Sequence, residues 1–240
     1  MTARLRDRRT WSGRLWPVVA SLAVLGLLVP AAAGAAPDRG APRLPARAAP
    51  PAVVALWHMD ELSGNVMVDS VGGHNGAING VQLGVPGFGG SAFGFTRSFV
   101  AIPQARALNP GRKKITLTIH LNTTGAPVKP DWDLMRKGVF GDGLGDYKIE
   151  FQPSGQASCG FLGSLGSADF AAGPRINDGR WHSVQCVKTT TAIRLVVDGR
   201  TFTRRARVGS ITNGAALVIG ARPGADFFKG ALDEASVTIG

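Results

Sequence analysis

The chain has 240 residues, 44% of them hydrophobic, with a formal charge of +11 and a single tyrosine. The length fits one or two domains. Beyond residue 35, basic residues cluster as Arg112-Lys113-Lys114 and Arg204-Arg205-Arg207, without interleaved aromatics, which argues against a nucleic-acid surface.

In chain order, Arg4, Arg6, Arg8, Arg9 and Arg14 precede an apolar run from Leu15 to Val29, and Ala33-Gly34-Ala35 closes it with small residues. This is the pattern of a secretory signal peptide over residues 1–35, cleaved after Ala35. The apolar run is shorter than the ~20 residues a spanning helix needs, so no transmembrane segment is expected after cleavage. Residues 36–52 carry prolines at 37, 42, 45, 50 and 51 with arginines between them, and read as a disordered Pro/Ala/Arg-rich linker. Residues 53–240 remain for one folded domain. Without residues 1–35 the formal charge falls to +7. A basic secreted surface suits anionic cell-surface or cell-wall polymers as well as plain solvation.

Thirty-three glycines punctuate short periodic segments, with no sustained helical period. That predicts an all-β fold, an antiparallel β-sandwich of roughly a dozen strands. Val53–Met59 reads as the entering strand, Asp69–Gly76 as a polar glycine-rich loop, and Ala77–Val85, Ser91–Phe95 and Phe99–Ile102 as short strands. Ile115–Asn122 alternates most cleanly: Ile115, Leu117, Ile119 and Leu121 face a core, while Thr116, Thr118, His120 and Asn122 face away from it. Leu134–Lys137, Tyr147–Gln152 and Ala157–Leu162 follow. Trp181–Lys188, Ala192–Val197 and Arg200–Arg207 form a three-stranded meander, its second turn set by Asp198-Gly199, which favours the positive φ of a type I′ hairpin. Ala215–Ile219 and Gly230–Ile239 close the domain.

Two cysteines in a secreted chain predict one disulfide. Cys159 and Cys186 both fall in strand-like runs, and adjacent antiparallel strands would bring them within bridging distance. Closing that loop is worth roughly 3–4 kcal/mol by the chain-entropy account.

Three segments together resemble bacterial laminin-G-like, concanavalin A-like jelly rolls: VALWHMDELSGNVMVDSVGGHNGAI at the start, DGRWHSVQCVK…LVVDG in the middle, and FFKGALDEASV at the end. The resemblance covers Val53 to Gly240 and implies a single secreted LamG-like jelly roll. Such domains include glycan binders and protein binders, so it leaves the ligand open. It also marks a departure: the position of His120 is commonly tryptophan in relatives, which weakens sugar stacking there.

Glucanases of that fold carry Glu-x-Asp-x-Glu on one strand, because period-2 spacing puts all three acids on one face. Glu61, Glu150 and Glu234 are the only glutamates here, and none has an acid two residues on. The expectation is therefore a non-catalytic module that binds a glycan or cell-surface polymer, with a structural or protein-protein interaction module as the second reading and a glycoside hydrolase as the third. His120, Gln185 and Arg194, with Thr116 and Thr118, are candidates for a shared polar binding face, and Trp132 for an aromatic stacker in a loop. Trp57 and Trp181 read as core, and His182 as structural. A structural calcium ion is the one cofactor expected. It needs several oxygen ligands, and relatives often hold calcium near their chain ends; the resemblance makes the terminal strands neighbours, so Asp60, Asp69 and Asp233 are its candidates. Asp142 and Asp146, in GDGLGD, form a second oxygen-rich loop.

Overall fold

The structure, a computed structural model, describes residues 50–139, 145–222 and 224–240. The expected signal peptide, most of the expected linker and Asp142 lie outside these residues. The described residues form two eight-stranded sheets and one short 3-10 turn, Arg106–Leu108. Numbered along the chain, one sheet (A) holds β1 (Ala52–Trp57), β4 (Gln82–Pro86), β5 (Ser91–Phe95), β7 (Ile115–Asn122), β12 (Trp181–Lys188), β13 (Ala192–Val197), β14 (Arg200–Arg205) and β16 (Gly230–Ile239). Sheet B holds β2 (Val66–Met67), β3 (Gly76–Asn79), β6 (Phe99–Ile102), β8 (Trp132–Lys137), β9 (Asp146–Phe151), β10 (Ala157–Gly163), β11 (Gly166–Ala171) and β15 (Leu217–Ile219). Their orders are β14-β13-β12-β7-β16-β5-β4 and β11-β10-β9-β8-β15-β6-β3-β2, and every ladder is antiparallel. β16 is the hinge of sheet A: β7 lies along one side, while β5 and β1 share the other, pairing with its first and last halves.

Alternation decides the packing. Ile115, Leu117, Ile119 and Leu121 of β7 are fully buried and meet side chains of sheet B such as Ile149, Phe151 and Leu134 in one apolar core. Their alternates stay half-exposed. The meander forms as expected, with Asp198 at φ 48° in the β13–β14 turn. The Cys159–Cys186 disulfide is present, but between β10 of one sheet and β12 of the other, with Cα atoms 5.5 Å apart. The expectation of adjacent strands is thereby corrected: the bridge ties the two sheets together across the core.

Two strand expectations also change. Ala77–Val85 is not one strand; a turn at Gly80, φ 69°, divides it into β3 and β4, which join opposite sheets. Trp132 is not in a loop. It is the first residue of β8, 8% exposed, with its ring 6.0 Å from Phe151 and 5.7 Å from Phe228. It pairs with Phe151 in register and so shares that residue's inward face, which removes it as a stacking platform.

One end of the core is closed by a polar plug. Lys137, fully buried, donates from Nζ to Asn109 Oδ1 (3.1 Å), the Asn213 carbonyl (3.0 Å) and Asn213 Oδ1 (2.7 Å). Burial lowers its pKa to about 8. Beside it the Tyr147 hydroxyl donates to the Leu108 carbonyl at 2.9 Å, and burial pushes that phenol upward.

Candidate functional site

The outward alternates of sheet A fall into rows because the ladders are in register. Thr118 lies between Gln185 of β12 and Ser236 of β16; His120 lies between Ser183 and Asp233; Asn122 lies between Trp181 and Ala231. Five of these side chains, Thr118, Asn122, Ser183, Gln185 and Ser236, are neutral, polar and half-exposed. They leave a broad neutral surface rich in hydroxyl and amide groups, able both to donate and to accept hydrogen bonds.

One aromatic side chain is laid over this surface from the β4–β5 hairpin, whose loop is Gly87-Phe88-Gly89-Gly90. Only glycine fits at its corners. A Cβ on Gly87 would meet the Ser91 carbonyl oxygen at 2.2 Å, and Gly90, at φ 146°, would bring one to 2.7 Å from Asp60 Oδ1. Phe88 is therefore the loop's single side chain. It stacks on His120 with ring centroids 4.1 Å apart and planes at 18°, and meets Trp181 edge-on at 6.4 Å, yet remains 54% exposed. A large ring held by neighbours and still more than half open to solvent is the ordinary form of a stacking platform.

Carboxylates hold the loop in place. Asp233, 1% exposed, accepts hydrogen bonds on Oδ2 from the Phe88 and Gly89 amides (2.7 and 3.3 Å), and on Oδ1 from the Glu234 amide (2.9 Å). Asp60 accepts the Ser91 amide at 2.8 Å. A bulge in β16 between Asp233 and Ser236, with Glu234 at φ 47°, marks this point. Glu234 faces His58, whose Nδ1 lies 2.9 Å from its Oε1; that hydrogen bond raises the His58 pKa. Beneath Phe88, burial outweighs the pull of Asp233 and Glu234 and lowers the His120 pKa, and His120 Nδ1 is buried without a partner.

The sequence-predicted residues divide accordingly. His120 and Gln185 share this face, Arg194 is exposed on it further along, opposite Val187, and Trp132 lies in the other sheet, in the core. Trp57 is fully buried as expected, its Nε1 donating to the His74 carbonyl. Trp181 is corrected from core to half-exposed surface. Phe88 was missed. Both were legible: Trp181 has the parity of Ser183 and Gln185, and a lone phenylalanine among three glycines has no strand in which to hide.

Asp60, Asp69 and Asp233 do not come together as a ligand set. Asp69 spends both oxygens on four backbone amides, those of Leu56, Val71, Gly72 and His74, at 2.8–3.1 Å. Amide hydrogens occupy the positions a cation would need at Asp69 and Asp233, so these carboxylates fit loop ties rather than calcium ligands. His182 is structural in the sense expected, with Nδ1 2.7 Å from Asp198 and Nε2 2.9 Å from Asp178. The outer face of sheet B is different in kind. Its centre is an ion network in which Arg136 bridges Asp133 and Glu150, all three buried. Burial, against the lowering pull of Arg136, pushes Asp133 up to about 7.

A family profile described as "Concanavalin A-like lectin/glucanases superfamily" matches residues 95–238, and the chain belongs to that superfamily. No curated protein matches it in sequence. Among solved structures it is similar to domain 4 of AbnA, an extracellular arabinanase from Geobacillus stearothermophilus, in complex with arabinotriose: 18% identity, TM-score 0.60, covering 79% of this chain and 93% of that one. It is similar to the binding domain of Paraclostridial Mosquitocidal Protein 1, with 14% identity, TM-score 0.60, and 77% and 48% coverage; the chain thus spans about half of that domain. A sialidase from Trypanosoma rangeli gives 17% identity, TM-score 0.53, and 78% and 30% coverage. These likenesses show the fold.

Proposed function

We propose that this member of the concanavalin A-like superfamily is a non-catalytic, extracytoplasmic module that binds a glycan or cell-surface polymer on the outer face of sheet A. The observation that carries the reading is Phe88, 54% exposed over a polar sheet and backed by His120 and Trp181. A sugar ring would lie against Phe88 and Trp181, with Asn122, Thr118 and Gln185 as hydrogen-bond partners for its hydroxyls. Arg194 and Arg205, both exposed and on the outward parity of the same face, favour polymers carrying negative charge. The arabinotriose complex of a domain with this fold supports the ligand class.

Support for a non-catalytic role comes from the acids. Asp133 and Glu150 are tied to Arg136 in a buried network, and Asp233 holds a loop, which are scaffold duties. The disulfide suits an oxidising compartment, and among the described residues no helix is long and apolar enough to cross a membrane. Residues 1–35 serve in this reading as the export signal and residues 36–52 as a tether.

The test is retention of residues 36–240 on immobilised polysaccharides, arabinan and cell-wall preparations included. Wild type is expected to bind at least one and to be displaced by its soluble oligosaccharide. Phe88→Ala, which removes stacking worth about 1.5 kcal/mol, is expected to weaken binding roughly tenfold with the melting midpoint little changed. Absence of retention on every matrix sinks the reading, as would capture of a protein partner indifferent to sugar. Turnover of a bound glycan would make it an enzyme instead.

A further inference from the structure

Sheet B carries a second site, independent of the glycan face. Asp133 and Glu150 are paired in register on β8 and β9 and are buried, 0% and 4% exposed. Asp133 Oδ1 accepts from Arg136 Nε at 2.8 Å, whereas its Oδ2 is buried without any partner. Glu150 spends Oε1 on Arg136, at 2.9 Å, and on Lys148; its Oε2 has only the Ser158 hydroxyl, at 3.4 Å. Half-buried Asp131 completes the group, and each of the three carboxylates brings an oxygen within 4.8 Å of the other two. An open cleft of about 370 Å³, lined by Asp131, Glu150, Arg136 and Lys148, reaches Asp131 and Glu150 from solvent. Neighbouring Arg222 is already paired with Asp226 at 2.8 Å.

A buried carboxylate oxygen without a donor is costly, on the order of 1–3 kcal/mol. Three carboxylates here share two cationic side chains, so positive charge is in deficit. Two oxygens on one calcium ion, each at 2.3–2.6 Å, lie at most about 5 Å apart, which is the spread these carboxylates have. An all-oxygen set excludes the soft metals. We infer that Asp131, Asp133 and Glu150 form a calcium-class cation site, completed by water entering from the cleft. Lys148 is the group that yields. Its stem lies across Gly160, where a Cβ would meet Lys148 Cε at 2.5 Å, and its side chain, 23% exposed, can leave Glu150 for solvent.

The probe is terbium added to chelator-stripped residues 36–240, with emission sensitised by Trp132, which lies in sequence between Asp131 and Asp133. Saturable emission is expected, displaced by calcium at lower concentration than by magnesium, and calcium is expected to raise the melting midpoint reversibly. Asp131→Asn, at a half-buried position that should still fold, is expected to weaken terbium binding at least tenfold. Lys148→Gln, which removes the competing cation, is expected to tighten it several-fold. No saturable emission and no calcium-dependent melting shift in the wild type overturns the site. So does emission that Asp131→Asn leaves at full affinity, since the ion would then sit elsewhere. Glycan retention plays no part in either readout, so the two readings fail separately.

Discussion

The outer faces of the two sheets are built from the same alternation and put to opposite uses. On sheet A the outward side chains are mostly neutral, Thr116, Thr118, Asn122, Ser183 and Gln185, half-exposed, with one aromatic ring laid across them. On sheet B the outward positions of β8 and β9 are Asp133, Arg136, Lys148 and Glu150, and they pair with one another under cover, Asp133 Oδ2 excepted. Hydroxyls and amides lose little by facing water and can exchange it for a ligand. Ionised groups placed under cover must be paired, because an unpaired buried charge costs several kcal/mol. The first face can give its polar groups to a neutral partner without harm to the fold; the second can give up a side-chain cation only to a partner that brings positive charge in its place.

The sharpest way to break this contrast is to remove the shared cation of sheet B. Arg136→Met would leave Asp133 and Glu150 buried with the charge they carried against Arg136 uncompensated, and should destabilise the domain by about 3–5 kcal/mol in urea unfolding. Replacing Asp133, Arg136 and Glu150 together with apolar residues of similar volume should restore most of that loss. A cost as small as that of Phe88→Ala would mean the network is ornamental and the two faces are not energetically distinct.

How much of this was legible follows from the range of each signal. The alternation in Ile115–Asn122 and in the meander is local, so core face and polar face could be read directly, and with them His120, Gln185 and Arg194. Cysteine pairing could be read from composition, but its crossing between sheets could not, since strand order is a long-range property. Asp60, Asp69 and Asp233 looked like calcium ligands because a sequence shows carboxylates without the amides they accept. Conversely Asp131, Asp133 and Glu150 were invisible as a group: they join only when β8 pairs with β9, and β8 began, in the sequence reading, two residues too late to include Trp132 and Asp133. Phe88 escapes pattern reading because a glycine-rich turn has no periodicity to mark the one side chain it presents.

Asp233→Asn tests whether the ring of sheet A is positioned by its loop or merely tethered. The substitution sets an NH₂ group against the Phe88 and Gly89 amides or against that of Glu234. It should cost roughly 1–3 kcal/mol of stability, and weaken glycan retention even though Phe88 is intact. Retention equal to wild type would show that the ring binds without being fixed, and that the neutral face needs no buried carboxylate at its edge.

The smallest expected effect lies where the contrast is least complete, at the end of sheet A where His182 sits between Asp178 and Asp198. Burial opposes charge on this imidazole, but the hydrogen bonds to the two carboxylates prevail and its pKa is raised above 6.5. A raised pKa in the fold means that the native state holds the proton more tightly than the unfolded chain. The stabilisation is therefore complete below the unfolded value and is lost as pH rises through the folded one. Both partners are open to solvent, so screening should hold the effect below about 1 kcal/mol. Urea midpoints of wild type should accordingly fall slightly between about pH 6 and pH 8, and those of His182→Gln should fall less. Identical slopes would show that the pair is too well solvated to matter, and would make sheet A's edge as electrostatically neutral as its centre.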